Sequence, residues 1–319
     1  MTASTTRRTT AARSRIAAVG AIAVAGALIL TGCGDQTEKG SSAAPSGGTS
    51  KDSSAPLFSA LPKKIQDAGV IKIGTDSAYA PMEFVEGGKI VGVDPDIAEA
   101  LGKQLGVKMQ FTAGTFDGLI TSIYTGREDA IMSSITDNKQ RQEGLDDKGQ
   151  KIGKGIDFVD YFSSGLSLLV KKGNPEGIKS LDDLCGKTVA VQRGTTYEDE
   201  FKKQAEKCGD KKLTIQAFDT DAEAQTRVKA GGAVADLNDY PVAAYTVKTS
   251  GGGNDFEIAG QQSGVGLFGI GVSKDNTQLR DALKQALDAA IKDGSYAKAL
   301  EKWNVQDSAV KSATVNAGQ

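Results

Sequence analysis

The segment IMSSITDNKQRQEG, from Ile131 to Gly144, gathers several polar groups at the end of a short apolar run. Two serines and a threonine supply hydroxyl groups, and Arg141 follows the threonine by five residues. Hydroxyl groups and a guanidinium are donors suited to a carboxylate or another anion. On its own the pattern is also typical of a strand, a turn and a capped surface helix, so its meaning depends on the elements that position it.

The chain contains no histidine. The sequence thus lacks the commonest general base and the commonest metal ligand, which disfavours an enzyme. We predict no catalytic residue, no metal and no cofactor.

Strand and helix patterns alternate around the polar segment. A hairpin is predicted to turn at Gly87 and Gly88, and Asp94 is predicted as a helix N-cap with Pro95 at the first helical position. The order β-α-β-α-β is the signature of a parallel sheet covered by helices. We predict strands at VIKIG, KMQFT and DAIMS, and helices at DIAEALGKQLG and DGLITSIYTG.

The same alternation restarts after Leu166, which predicts a second α/β lobe. Its strands are predicted at LSLLV, TVAVQ, LTIQAF and VADLN, and its helices at Tyr197–Cys208, Ala222–Ala230 and PVAAYTVK. Two long helical patterns, NTQLRDALKQALDAAIKDG and SYAKALEKWNV, end the chain.

The run from Gly264 to Gly269, GVGLFG, matches the dinucleotide-binding fingerprint. That motif needs a helix directly after it. Here the extended sequence IGVS follows, and the next helix is predicted only near Thr277. We therefore predict that these glycines mark a chain crossing between lobes.

The N-terminus has the pattern of an export signal. Four arginines and no acidic residue lie in the first fifteen positions, and an apolar run follows from Ile16 to Leu30. This run is short for a spanning helix and fits a secretory signal. The sequence Leu30-Thr31-Gly32-Cys33 resembles a bacterial lipobox, in which Cys33 is lipidated. The alternative is a short membrane anchor with an incidental cysteine.

Beyond Cys33, the chain to residue 56 is rich in small and polar residues and is predicted to be a flexible tether. We expect an exported protein held by its lipid at the outer face of the cytoplasmic membrane. Loss of the four signal arginines changes the formal charge from −2 to −6, which argues against nucleic-acid binding. Cys185 and Cys208 then suggest one disulfide, the alternative being two separately buried thiols.

Six segments occur in an order that resembles the polar amino acid (family 3) solute-binding proteins of ABC importers. They are IKIGTDSAYAPMEF, IVGVDPDIAEALGKQLG, FDGLI, DAIMSSITDNKQRQ, VAVQRGTT and ADLNDYPVAAY. The resemblance covers the chain from about Leu61 to Val305. It implies two α/β lobes joined by two crossing strands, which close on one ligand, as in the type II periplasmic-binding-protein-like fold. The predicted boundaries are 1–32 for the signal, 33–56 for the tether, 57–163 with 267–310 for lobe 1, 164–266 for lobe 2, and 311–319 for a tail.

The resemblance also implies a clamp for the two charges of a free amino acid. Arg141 would bind the carboxylate with its planar fork, assisted by the hydroxyls of Thr136 and Thr196. Asp239 would bind the ammonium, and the Ser134 carbonyl and Thr136 would complete that shell. The strand DAIMS would deliver Ser133 to the same cleft. The plainer alternatives are a solvated Arg141 and a turn role for Asp239.

The ligand's side chain would lie between the rings of Tyr79 and Phe116, with Asp76 and Gln192 facing its distal end. Alternatively, the two rings belong to the core and Asp76 caps a turn. None of these four residues is cationic, and Arg193 should point away from the face of Gln192. We therefore expect arginine, lysine or histidine to bind best, glutamine next and glutamate poorly.

The sequence departs from the family in a longer polar loop, residues 142–157. The sequence as a whole is compatible with three classes of function. The first is a monomeric receptor that delivers an amino acid to an ABC permease. The second is an exported enzyme on the same fold, such as a cyclohexadienyl dehydratase-like lyase, and the third is a sensory module. An intact amino-acid clamp favours the first.

Overall fold

The computed structural model describes residues 51–146 and 148–319. The strands of this part are β1 (Val70–Thr75), β2 (Ala78–Tyr79), β3 (Glu83–Glu86), β4 (Lys89–Val91), β5 (Lys108–Ala113), β6 (Ala130–Ile131), β7 (Ile156–Lys171), β8 (Thr188–Gln192), β9 (Thr214–Phe218), β10 (Ala235–Asp239), β11 (Phe256–Ser273) and β12 (Ala309–Val315). The helices are α1 (Lys63–Ala68), α2 (Val93–Leu105), α3 (Leu119–Tyr124), α4 (Lys139–Glu143), α5 (Thr196–Cys208), α6 (Asp221–Lys229), α7 (Tyr240–Thr249), α8 (Thr277–Asp293) and α9 (Ser295–Trp303). The predicted alternation of strands and helices is confirmed.

One large mixed sheet connects the two halves of the molecule in the order β5-β1-β6-β11-β7-β10-β8-β9, with β12 paired to β7. We call the part built on β1, β5 and β6 lobe 1, and the part built on β8, β9 and β10 lobe 2. Each lobe has parallel pairs of its own. The long strands β7 and β11 run antiparallel through both, with register shifts between Ala259 and Gly266 where they cross. The predicted α/β fold with two crossing strands is confirmed.

Each lobe buries a separate apolar core. In lobe 1, Ile73, Leu101 and Leu283 are fully buried in one cluster. In lobe 2, Val189 and Phe201 are fully buried in another. Two independent cores allow each lobe to keep its shape while the crossing strands bend, which is the usual basis of hinge closure.

The start of α2 differs from the prediction. The helix begins at Val93, with Gly92 at the cap position and Asp94 inside the first turn, fully buried. Gly92 has φ +137°, and a Cβ there would lie 2.2 Å from the carbonyl oxygen of Met82. The glycine therefore lets the hairpin pack against the helix start, and the Asp94 side chain points inward to Tyr161 and the Ser134 N–H. The predicted N-cap role of Asp94 is wrong.

The glycine run from Gly264 to Gly269 lies inside β11, and α8 begins only at Thr277. The arrangement that a dinucleotide fingerprint requires does not occur there, as predicted. The predicted disulfide is also confirmed: Cys185 and Cys208 are bonded, with their Cα atoms 5.3 Å apart. It joins the end of α5 to the turn that precedes β8.

The predicted signal, Cys33 and the tether up to residue 50 lie outside the described residues. From residue 51 the chain lies against lobe 1, where the Asp52 N–H donates to the carbonyl of Gly106 at 2.8 Å. No helix among the residues that the model describes is both long and apolar enough to span a bilayer.

Candidate functional site

The carboxyl ends of four strands meet at a cavity between the lobes. Asp76 follows β1, Ser133 follows β6, and Gln192 and Asp239 end β8 and β10. Ligands of open α/β sheets bind at such ends, because the loops there are free to carry polar groups. The cavity is lined by all ten predicted ligand-binding residues, Asp76, Tyr79, Phe116, Ser133, Ser134, Thr136, Arg141, Gln192, Thr196 and Asp239, and by Glu83, Thr195 and Tyr197.

The lobes close tightly on this cavity. Its volume is about 20 Å³, which is close to the room that one water molecule needs. An amino acid is several times larger. Binding one therefore requires the lining side chains, or the two lobes, to move apart.

Arg141 turns back from α4 into the cavity. Asn138 caps the helix by accepting from the Arg141 backbone N–H at 2.9 Å. The guanidinium donates to the carbonyls of Thr136 at 2.8 Å and of Gly194, in lobe 2, at 3.1 Å. It also lies 5.5 Å from the centre of the Phe116 ring. Burial lowers the pKa of Arg141 to about 10, so the side chain remains cationic at neutral pH.

Asp239 is held by two tyrosine hydroxyls from opposite lobes. Tyr79 of lobe 1 donates to one carboxylate oxygen at 2.6 Å, and Tyr197 of α5 donates to the other. The Asp239 side chain is buried, and burial raises its pKa to about 7. The hydroxyl of Tyr79, which we predicted as a stacking ring, thus also bonds the carboxylate predicted to bind the ammonium.

Asp76 and Gln192 meet across the cleft, where the Gln192 amide donates to Asp76 at 2.5 Å. The other Asp76 oxygen accepts from the backbone N–H of Ala78 at 3.2 Å. Asp76 therefore has both of the roles considered for it, because it caps the turn and also lines the cavity. Burial raises its pKa.

A second pair of carboxylates lies at the back of the cavity in lobe 1. Glu83 of β3 is fully buried and accepts from the Ser133 hydroxyl at 2.9 Å. Behind it, Asp94 accepts from the Tyr161 hydroxyl at 2.7 Å and from the Ser134 N–H at 3.0 Å. Burial raises the pKa of Glu83 well above its ordinary value and that of Asp94 to about 6.

Helix α5 directs its N-terminus at the same cavity. Thr195 caps it by accepting from the Glu198 N–H at 3.2 Å, and its hydroxyl donates to the Gln192 carbonyl at 2.8 Å. Thr196 is the first helical residue and lines the cavity. Free N–H groups at a helix start favour an anion. Arg193 is exposed and donates to the Ala217 carbonyl, outside the cavity, as predicted.

Three residues that line the cavity, Glu83, Thr195 and Tyr197, were not predicted from the sequence. In the sequence, Glu83 has the pattern of a polar residue in an exposed hairpin, and Tyr197 has that of an ordinary helix residue. No local pattern in the sequence marks Glu83, because its cavity partner Ser133 lies fifty positions away along the chain.

Two α/β lobes joined by crossing strands, with a polar cavity between them, define a periplasmic-binding-protein-like protein. The model of the bacterial extracellular solute-binding proteins, family 3, matches residues 71–306. This chain belongs to that family.

Individual relatives agree with this assignment. The chain is 29% identical to the L-cystine-binding protein TcyJ of Escherichia coli K12, over 76% of this chain and 85% of TcyJ. It is 30% identical to the histidine-binding periplasmic protein of Salmonella typhimurium, over 79% of this chain and 91% of the relative. Among solved structures, an ancestral arginine-binding protein bound to arginine matches with a TM-score of 0.65 and 36% identity, covering 74% of this chain and 98% of that one.

Proposed function

We propose that this protein captures a free amino acid with a cationic side chain outside the cytoplasmic membrane and delivers it to an ABC permease. The observation that carries the proposal is that Arg141 and Asp239 both line one buried cavity. A free amino acid has a carboxylate and an ammonium on one carbon, and removing both from water needs an opposite charge for each.

The remaining charges of the cavity favour a basic side chain. The carboxylates of Asp76 and Glu83 both line the cavity. Among the described residues, Arg141 is the one cation that lines it. A second cation on the ligand would let these carboxylates ionise in an environment that otherwise raises their pKa. A second anion would add repulsion. The histidine- and arginine-binding relatives support a basic ligand, although TcyJ is named for cystine.

The proposal covers binding without catalysis. An exported lyase on this fold would need a proton donor free to act on its substrate. Burial raises the pKa of Glu83, but its carboxyl is already bonded to both serines and faces Asp94. The names of the relatives cited above, which are all binding proteins, support the same conclusion.

A ligand screen tests the proposal. We expect a thermal-shift screen of the common amino acids on the domain from residue 51 to show stabilisation by arginine, lysine or histidine. Calorimetry should then rank one of these three tightest, glutamine next and glutamate weakest. Tighter binding of glutamate than of arginine would show that Asp76 and Glu83 do not face the ligand's side chain.

The anchor and the permease need a separate experiment. In cells, replacement of Cys33 by serine should abolish incorporation of a labelled fatty acid and release the protein from the membrane. Uptake of the labelled ligand should fall when either this gene or its permease is deleted. Normal uptake without this gene would favour the sensory alternative.

A further inference from the structure

The last residues of the chain contact the loop that carries the clamp. Strand β12 pairs antiparallel with the crossing strand β7, placing Thr314 opposite Asp160 and Val315 opposite Val159. Directly after it, the Asn316 side chain accepts from the Phe158 N–H at 2.8 Å and donates to Asp157 at 3.0 Å. Specific side-chain bonds, in addition to the strand ladder, thus fix the position of this segment.

The segment then reaches the two residues that flank the clamp. Asp137 follows Thr136 and Gln142 follows Arg141, and both side chains are buried. The Gly318 N–H donates to Asp137 at 2.7 Å. The Gln142 amide donates to the other Asp137 oxygen at 2.7 Å and to the Gly318 carbonyl at 3.2 Å.

The contact at Gly318 leaves no space for a side chain. A Cβ on this residue would lie 2.0 Å from the backbone carbonyl oxygen of Asp137. Real atoms do not approach so closely, so a larger residue must displace either the C-terminal segment or the loop. Only glycine is compatible with the observed contact.

The segment also supplies donors to carboxylates that would otherwise lose bonds. Asp160 is fully buried and accepts from the Thr314 hydroxyl at 2.7 Å and the Ala317 N–H at 3.2 Å. With the Gly318 bond to Asp137, the C-terminus supplies three donors to two buried acids beside the clamp: two to one oxygen of Asp160 and one to Asp137. A buried acceptor without a hydrogen-bond partner lowers the stability of the folded protein. Loss of these donors should therefore make the loop rearrange.

We propose that the C-terminal segment Thr314–Gly318 is a positioning element that holds the loop from Thr136 to Arg141 in its ligand-binding geometry. The proposal rests on the proposed function, because it assigns these residues a role in amino-acid binding. The segment itself does not line the cavity between the lobes. It acts through Asp137 and Gln142, and its effect should fall on the ligand's carboxylate.

The test compares Gly318→Ala with the control Ser312→Ala, an exposed residue of β12 outside the segment Thr314–Gly318. The probes are L-arginine and L-argininamide, whose carboxylate is replaced by a neutral amide. Gly318→Ala should weaken arginine binding roughly tenfold, as expected for a misplaced bond to a charged group. Argininamide binding should change by less than about threefold, since it lacks the group that Arg141 holds. The control should bind both probes as the wild type does.

Hydrogen exchange of the free protein provides a readout that does not depend on the ligand. In Gly318→Ala, and in a chain ending at Ala313, the amides of residues 137–142 should exchange faster, while those of α6 and β9 stay unchanged. Unchanged exchange in the loop, or equal weakening of both probes, would overturn the inference. If the wild type binds neither probe while loop exchange responds as expected, the proposed ligand is wrong and the positioning contact stands.

Discussion

Arg141 and Asp239 already have protein partners where a ligand's charges would bind. The Arg141 guanidinium donates to two carbonyl groups, and Asp239 accepts from two tyrosine hydroxyls. These partners are neutral, whereas the groups of an amino acid are ionised. Because hydrogen bonds between two charged groups are stronger than those with one, the ligand can replace the protein's own partners at a net gain. When no ligand is bound, these neutral partners also satisfy the hydrogen-bonding needs of the two buried side chains.

Replacement of Arg141 by alanine should nearly abolish amino-acid binding. Removing one member of a buried charge pair costs about 3–5 kcal/mol, which corresponds to a loss in affinity of more than about a hundredfold. The fold should persist, because alanine is a good helix former and the cap from Asn138 to the backbone of α4 remains. Calorimetric titration with arginine, together with thermal unfolding, measures both effects.

Two further variants sharpen this experiment. Arg141→Lys keeps the charge but loses the planar fork, so its affinity should lie between those of the wild type and the alanine variant. Arg193→Ala removes an exposed arginine outside the cavity and should bind normally. Binding by Arg141→Ala within a few-fold of the wild type would place the ligand's carboxylate elsewhere.

At the scale of elements, apolar periodicity predicted most strands and helices, because their buried faces repeat at regular intervals. It predicted the four strands whose carboxyl ends meet the cavity and the end of β8 at Gln192, whereas β10 ends at Asp239, one residue beyond the predicted VADLN. The start of α2 was predicted two residues late, since the cap signal of Asp94 competes with its burial against Tyr161 and Ser134. Local sequence cannot show a contact with residues that are distant along the chain.

The same limit explains what the sequence analysis did not identify in the site. Glu83 becomes a cavity residue only because the hairpin of β3 and β4 folds over Ser133, fifty positions away. Strand β12, AVKSATV, has no strong apolar alternation, and its partner β7 lies far back in the sequence. The resemblance to a known family supplied the clamp residues that periodicity alone could not.

The disulfide should stabilise lobe 2 without contributing to ligand recognition. It closes a segment with a sequence separation of 23 residues, for which chain-entropy estimates give about 3 kcal/mol. Cys208 is the last residue of α5, whereas Thr196 and the cavity lie at its other end. We expect the double serine variant to lose free energy of unfolding in urea and to bind the ligand within a few-fold of the wild type.

Reductant provides the control for this prediction. It should lower the unfolding midpoint of the wild type toward that of the double serine variant and leave that variant unchanged. A large loss of affinity in the variant would mean that the bond also fixes the N-terminus of α5.

At the scale of the whole molecule, bonds across the cleft hold the lobes together through cavity residues. Tyr79 bonds to Asp239, Asp76 to Gln192, and Arg141 to the Gly194 carbonyl. Each bond joins lobe 1 to lobe 2 and must break or rearrange when an amino acid enters. Opening and ligand binding therefore involve the same groups, and ligand affinity depends on how readily these bonds are exchanged.

Affinity for a cationic amino acid should rise with pH through the neutral range. Burial raises the pKa of Asp239 to about 7 in the free protein, so much of it is protonated at lower pH. A raised pKa in the folded state stabilises the free protein most below the pKa of the unfolded chain, and this stability is lost as pH rises through about 7. An ammonium beside Asp239 lowers its pKa again, so binding below that pH must release a proton. Each released proton changes affinity by up to about tenfold per pH unit.

Calorimetry in buffers of different ionisation enthalpy measures this proton release directly. The release should be large at about pH 6 and small at about pH 8. Glu128→Gln is the control, because burial also raises the pKa of Glu128 but its side chain does not line the cavity. That variant should change the dependence of unfolding on pH and leave the proton release on binding intact. Asp94, with a pKa of about 6, contributes to the same range, and Asp94→Asn should reduce the release only in part. Proton uptake on binding, or an affinity that is constant across this range, would mean that the ligand's ammonium does not reach Asp239.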